Sequence, residues 1–167
     1  MTIKHRFGFV GCGKIASKHS LIINNLEGAS LEAFCDLDLE KAKTLSEEFG
    51  SKSFSTVEEM MDTSNPDTLI VLTPSGFHAE NIKDLIKYKK NIIVEKPLAL
   101  KISDLREISQ LVKENDISLS VVKQNRFNKP IVFLKKLVIE GQLGKLFLGT
   151  IRVRWSRTQD YYDESTW

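Results

Sequence analysis

Gly8-Phe9-Val10-Gly11-Cys12-Gly13-Lys14-Ile15-Ala16, or GFVGCGKIA, is the stretch on which the fold turns. It closes an apolar run, Arg6 to Val10, that reads as a buried strand, and it opens a helical stripe marked by Ile15, His19, Ile22, Ile23 and Leu26. A glycine-rich turn between strand and helix is the context of a dinucleotide fingerprint. Gly11 permits the tight turn, and Gly13 lets backbone approach a pyrophosphate with no side chain in the way. Ala16 keeps the helix close to the sheet, and the helix amino terminus offers N–H groups to the anion. Such turns also arise for structural reasons alone, so a second residue is needed. Asp36 supplies it at the end of the next apolar run, Leu31 to Asp36, about 20 residues after the glycines, where a carboxylate accepts from adenosine ribose hydroxyls and repels a 2′-phosphate. Asp38 adds negative charge and no arginine adjoins either acid, so NAD is expected rather than NADP. The competing reading makes Asp36 an ordinary strand-end acid or the cap of the helix that starts at Leu39.

Outward from this turn, short apolar runs alternate with amphipathic ones, the pattern of a parallel sheet wrapped by helices. Further strands are expected over Thr68 to Leu72, Asn91 to Val94 and Ser118 to Val122. Helical stripes fall at Leu39, Ala42 and Leu45, at Ala79, Ile82, Leu85 and Ile86, and at Leu105, Ile108, Leu111 and Val112, the last with Ser103 as its expected cap. The fold class is therefore α/β, a Rossmann-type sheet with helices on both faces. A domain over 1–123 is expected to hold it. From Gln124 the character changes. Pro130 suits the first turn of a helix striped by Ile131, Leu134, Leu137 and Val138 and stopped at Gly141. KLFLGTIRVRW, Lys145 to Trp155, then reads as a long strand. Residues 124–167 are thus expected to be the first helix and strand of a second, incomplete α+β domain.

Composition narrows the function. A chain of 167 residues with 41% hydrophobic and 28% charged residues suits one well-buried soluble domain. Net charge is +2 with basic and acidic residues interspersed, which predicts neither nucleic-acid nor membrane binding. No secretory signal is read at the amino end, and no run nears the roughly 18 apolar residues that span a bilayer, so a cytoplasmic location is expected. Cys12 and Cys35 make no disulfide framework; a redox pair is conceivable if their strands adjoin, but free thiols fit a reducing compartment better. Three histidines and two cysteines show no metal-ligand spacing.

Ligands of open parallel sheets bind beyond the carboxyl ends of the strands. Three later strand ends carry Thr73-Pro74-Ser75-Gly76-Phe77-His78, Glu95-Lys96-Pro97 and Gln124-Asn125-Arg126. Lys96 stands out. Beside a cofactor it can donate to a substrate hydroxyl, stabilise an alkoxide or, once desolvated, act as a base; the alternative is a surface lysine lying along Glu95. His78, near a helix start, suits a cap or cofactor contact better than proton transfer, while His5 and His19 read as structural.

GFVGCGKIA, CDLDLEKA, TPSGFHAEN, NIIVEKPLAL and QNRFN together resemble the glucose–fructose oxidoreductase, inositol dehydrogenase and rhizopine-catabolism family in order and spacing. That resemblance implies a Rossmann domain followed by an α+β domain whose open sheet faces the cofactor and mediates homo-oligomerisation. It places Gly11, Gly13, Lys14 and Ile15 around the pyrophosphate and Asp36 at the adenosine ribose. Thr73, Pro74 and His78 would line the middle of the cofactor, and Glu95 and Lys96 the nicotinamide ribose, with Lys96 reaching the reacting hydroxyl. Gln124, Asn125 and Arg126 would form the floor of the substrate pocket. The tail VRWSRTQDYYDESTW resembles the branch that oxidises C3 of UDP-N-acetylglucosaminuronic acid for surface polysaccharides. There Arg154 and Trp155 would approach cofactor and nucleotide-sugar substrate, with Arg157, Tyr161 and Tyr162 shaping the sugar-nucleotide side. One departure matters: the family's second-domain histidine, paired with an acid, has no counterpart, since none follows His78 and Asp160 and Asp163 stand without one. An NAD(H)-binding module without turnover, and an inactive fragment, are therefore kept as rival expectations.

Overall fold

The computed structural model describes residues 4–163; residues 1–3 and the last four residues of the tail lie outside them. The chain divides into two compact units, Met1–Val122 and Lys123–Trp167.

In the first unit six parallel strands form one sheet. They are β1 (His5–Val10), β2 (Ala29–Cys35), β3 (Lys52–Phe54), β4 (Thr68–Val71), β5 (Asn91–Val94) and β6 (Leu119–Val121), in the order β3-β2-β1-β4-β5-β6. Strands covered on both faces need apolar residues at every position, and all four residues of β4 are buried. Helices α1 (Lys14–Asn24) and α2 (Leu39–Phe49) bring Ala16, Ile23, Ala42 and Leu45 against Phe9, Phe34 and Ile70. On the other face α3 (Val57–Thr63), α4 (His78–Leu85) and α5 (Ile102–Glu114) bring Met60, Ile82, Leu85 and Ile108 against Val10, Leu69, Val71 and Val94. Each large side chain so buried contributes roughly 1.5–3 kcal/mol.

The order reverses at β1, whose neighbours are β2 on one side and β4 on the other. Val10 is level with Cys35 and with Val71, so the turns after β1, β2 and β4 leave the sheet together. That reversal is the topological switch point at which doubly wound sheets open a crevice.

The structure departs from the sequence expectations in four places. Lys52–Phe54 pairs with β2 and forms an edge strand the sequence reading did not assign, followed by α3, also unassigned. Helix α1 is rotated from its expected face: Ala16, Ser20 and Ile23 are buried, while Ile22 and Leu26 are 51% and 52% exposed. Small residues let the helix lie close on the sheet, and the Ser20 hydroxyl is satisfied by donating to the Ala16 carbonyl at 2.9 Å. Ser103 does not cap α5, which starts one residue earlier with Lys101 at the cap position.

The fourth departure lies in the second unit. Helix α6 (Lys129–Ile139) forms as expected, with Pro130 in its first turn, and α7 (Gln159–Asp163) follows later. The run Lys145 to Trp155, expected to be a strand, is irregular and exposed. A strand is defined by its ladder, and no other described segment pairs with this one.

Candidate cofactor and active site

Gly11 leaves β1 with its amide donating to the Cys35 carbonyl at 2.8 Å, one step beyond the ladder. Its φ is +98°, and a Cβ built on it would lie 2.7 Å from the Thr73 nitrogen and 2.8 Å from the Leu72 carbonyl carbon. Glycine is therefore required here by backbone sign and by contact alike. Gly13 is different. A Cβ there would meet no protein atom within 4 Å, so the fold itself does not demand glycine, and the space beside this backbone is open to a ligand. Gly13 is the N-cap of α1, whose first turn has no acidic residue and no side-chain cap, with Lys14 and Ile15 exposed at its start. These features fit a pyrophosphate at the helix terminus.

Asp36 closes the turn from the other side. Its Oδ2 accepts from the Cys12 amide at 2.7 Å and its Oδ1 from the Asp38 amide at 2.9 Å. An ionised carboxylate has about four lone-pair sites, so both oxygens keep capacity for ribose hydroxyls. Asp38, not Asp36, caps α2, accepting from the Glu40 amide, so the reading of Asp36 as a mere helix cap falls away.

Beneath the turn, Cys12 and Cys35 are buried free thiols, and the Cys12 Sγ donates to the Cys35 carbonyl at 3.6 Å. Burial first, then the Asp36 charge, pushes both thiols up to about 12. Thiolate is the reactive form, so near neutral pH neither should react with a thiol reagent in the folded protein. Ellman titration is expected to give no fast thiol before unfolding and two after it; a fast native phase would overturn this.

The turn after β4 is built around Thr73. The Thr73 hydroxyl donates to Asn81 Oδ1 at 2.7 Å, and Pro74 is exposed. His78 is 1% exposed, and both ring nitrogens face backbone carbonyls, Nδ1 that of Pro97 at 2.6 Å and Nε2 that of Thr73 at 2.7 Å. With both nitrogens engaged, the ring offers no polar atom to the crevice. The buried ring lies between two strand-end turns, and the one N–H of a neutral imidazole donates to one of these carbonyls.

Beyond β5, the Glu95 amide donates to the Val71 carbonyl at 3.0 Å. The Glu95 Oε2 accepts from the Lys96 amide at 3.0 Å, and Lys96 is exposed, joined to Pro97 by a cis peptide. The partner of Glu95 was missed in the sequence: His19 Nε2 donates to Glu95 Oε1 at 2.9 Å, from α1. The one signal for it was spacing, since His19 adjoins Ser20 and lies three residues from Ala16 on the face that packs on the sheet. His5, at the opposite end of β1, bonds Thr68 Oγ1 at 2.8 Å and is structural.

Gly11, Gly13, Asp36, Thr73, Glu95 and Lys96 thus gather at the carboxyl edge of one sheet. Gln124, Asn125 and Arg126 belong to the second unit, in an exposed 3-10 turn, Gln124–Phe127. Arg154 and Trp155 lie in its irregular segment, where the Arg157 guanidinium sits 5.2 Å from the Trp155 ring and 4.8 Å from that of Tyr161. Among the described residues no group of three or more His, Cys, Asp or Glu is placed to hold a metal ion, and no helix is long and apolar enough to cross a membrane.

A parallel sheet in this order, a glycine turn open to an anion and an acid at the end of the second strand define a Rossmann domain of the dinucleotide-binding kind. The chain belongs to the Gfo/Idh/MocA oxidoreductase family, NAD-binding Rossmann fold, whose model matches residues 5–123. It is similar to the WlbA dehydrogenase of Bordetella pertussis, solved in complex with NADH and UDP-GlcNAcA, at 33% identity and a TM-score of 0.91, covering 98% of this chain and 48% of that one. The WlbA dehydrogenase of Chromobacterium violaceum, also solved with NADH and UDP-GlcNAcA, matches at 31% identity and a TM-score of 0.92, over 99% and 48%. A myo-inositol 2-dehydrogenase of Thermotoga maritima is 28% identical over 141 residues, 84% of this chain and 42% of that protein. The chain thus spans less than half the length of these relatives.

Proposed function

We propose that this chain supplies the NAD(H) site and the reactive lysine of a dehydrogenase that oxidises C3 of a UDP-N-acetyl-hexuronic acid for surface-polysaccharide precursors. The observation that carries the reading is the exposed Lys96 at the same sheet edge as the Gly13 turn and Asp36. The sugar-nucleotide class is supported by the likeness to two dehydrogenases solved with UDP-GlcNAcA.

When bound, NAD+ supplies the hydride acceptor. Gly13, Lys14 and Ile15 would hold the pyrophosphate, Asp36 the adenosine ribose, Thr73 and Pro74 the middle, and Glu95 the nicotinamide side. Lys96 donates to the oxygen on the reacting carbon and stabilises the negative charge that grows there as its proton leaves. Asn125, Arg126, Arg154 and Trp155 take the sugar nucleotide, as part of a second domain through which the whole enzyme forms homo-oligomers.

Calorimetric titration of the 167-residue protein with NADH and NADPH tests the cofactor half. A 2′-phosphate beside Asp36 brings like charges together, so NADH is expected to bind at least about tenfold more tightly. Equal affinities would remove Asp36 from that role, and no binding by a folded, monodisperse sample would overturn the cofactor site.

A further inference from the structure

The Lys96 side chain is exposed, and among the described residues no ion pair holds its ammonium, so its aim must come from its backbone. On one side Glu95 is still tied to the sheet through its amide and the Val71 carbonyl. On the other the Pro97 carbonyl lies 2.6 Å from Nδ1 of the buried His78. The Lys96 peptide between them has left the ladder. Its amide donates to the carboxylate of Glu95, and that carboxylate is held in turn by His19. A carboxylate can only accept, so the His19 Nε2 carries the proton of this contact. Glu95 and His19 are largely shielded, at 12% and 19% side-chain exposure, where a hydrogen bond to a charged acceptor is worth more than in open water.

We propose that His19 is a positioning residue for Lys96, acting through the Glu95 carboxylate. The proposal rests on Lys96 being the group that meets the substrate. It also links two parts of the site, because His19 rides on the helix whose amino terminus is the Gly13 turn. Seating of an anion at that terminus and placement of the lysine then share one rigid element.

Amide hydrogen exchange of the 167-residue protein, wild type and two variants, tests it. His19→Phe keeps the ring volume and removes the donor; His19→Gln restores an N–H near the Nε2 position. Loss of the hydrogen bond to the charged carboxylate frees it to swing from the Lys96 amide, so Lys96 amide exchange in His19→Phe is expected to quicken by about tenfold or more. Exchange at Leu69 to Val71 and Ile92 to Val94 should stay as in wild type, and His19→Gln should return Lys96 towards the wild-type rate. A space-filling role predicts the reverse ranking of the variants. The proposal is overturned if His19→Phe leaves the Lys96 amide unchanged, if His19→Gln exchanges as fast as His19→Phe, or if the core strands loosen along with Lys96. NADH calorimetry on the same samples keeps the two ideas apart, since absent binding to wild type sinks the cofactor reading and leaves the exchange result to decide the His19 contact.

Discussion

Lys96→Ala is expected, on the dehydrogenase reading proposed above, to slow sugar-nucleotide oxidation by about 10²- to 10⁴-fold while NADH affinity stays within a few-fold of wild type. The asymmetry follows from where the lysine sits. Its side chain is exposed and belongs to neither core cluster, so its loss leaves no cavity. The turn around it is held by backbone and by neighbours, through Glu95, His19 and His78, none of which is altered. On the proposed reading, what disappears is a cation at the oxygen where charge develops, an interaction felt in the transition state far more than in cofactor binding. The rate is to be measured as single-turnover formation of NADH by a protein of the relatives' full length. Equal rates in wild type and variant would strip Lys96 of its role, whereas a parallel loss of NADH affinity would make it a binding residue.

Gly11→Ala should produce the largest loss of stability of any single methyl added to the site. Two independent costs act. A non-glycine residue at φ +98° is strained by roughly 1–3 kcal/mol. The new carbon would also sit 2.7 Å from the Thr73 nitrogen, against backbone that cannot swing aside, and overpacking of this kind costs about 1–3 kcal/mol more. A total of about 2–6 kcal/mol is a large part of the 5–15 kcal/mol that keeps a domain folded. Urea unfolding should show the midpoint fall with little change in slope. Gly13→Ala is the control: with no protein atom within 4 Å of its Cβ, it should unfold close to wild type and lose NADH affinity. A Gly11→Ala protein as stable as wild type would mean that the turn can relax in a way its register with β4 does not allow for.

The sequence reveals most where chemistry and geometry coincide within a few residues. The β1 turn, Asp36 and the strand-end position of Lys96 are all legible because strand, glycine, helix and acid follow one another at fixed spacing. β3 is not, because Lys52-Ser53-Phe54 is too short for a period to show and exists only by pairing with β2. The rotation of α1 was hidden by a misleading signal. Ile22 and Leu26 look like core, yet Ala16 and Ser20 do the packing, since close approach favours small residues over large ones. The run Lys145 to Trp155 has the composition of a strand without a described partner, a reminder that periodicity records a disposition and pairing creates the element. His19 with Glu95 lies 76 residues apart in sequence, and no local rule could join them.

The double engagement of Asp36 carries a lesson for anyone wishing to retarget this domain to a phosphorylated dinucleotide. Exchanging the acid for an apolar or basic residue would remove the repulsion and, in the same stroke, orphan the Cys12 amide of the turn it braces. On the proposed reading specificity and scaffold are written in one carboxylate, so a workable redesign keeps a neutral oxygen acceptor at position 36, leaves Asp38 as the cap of α2 and recruits its positive charge at the exposed Leu37.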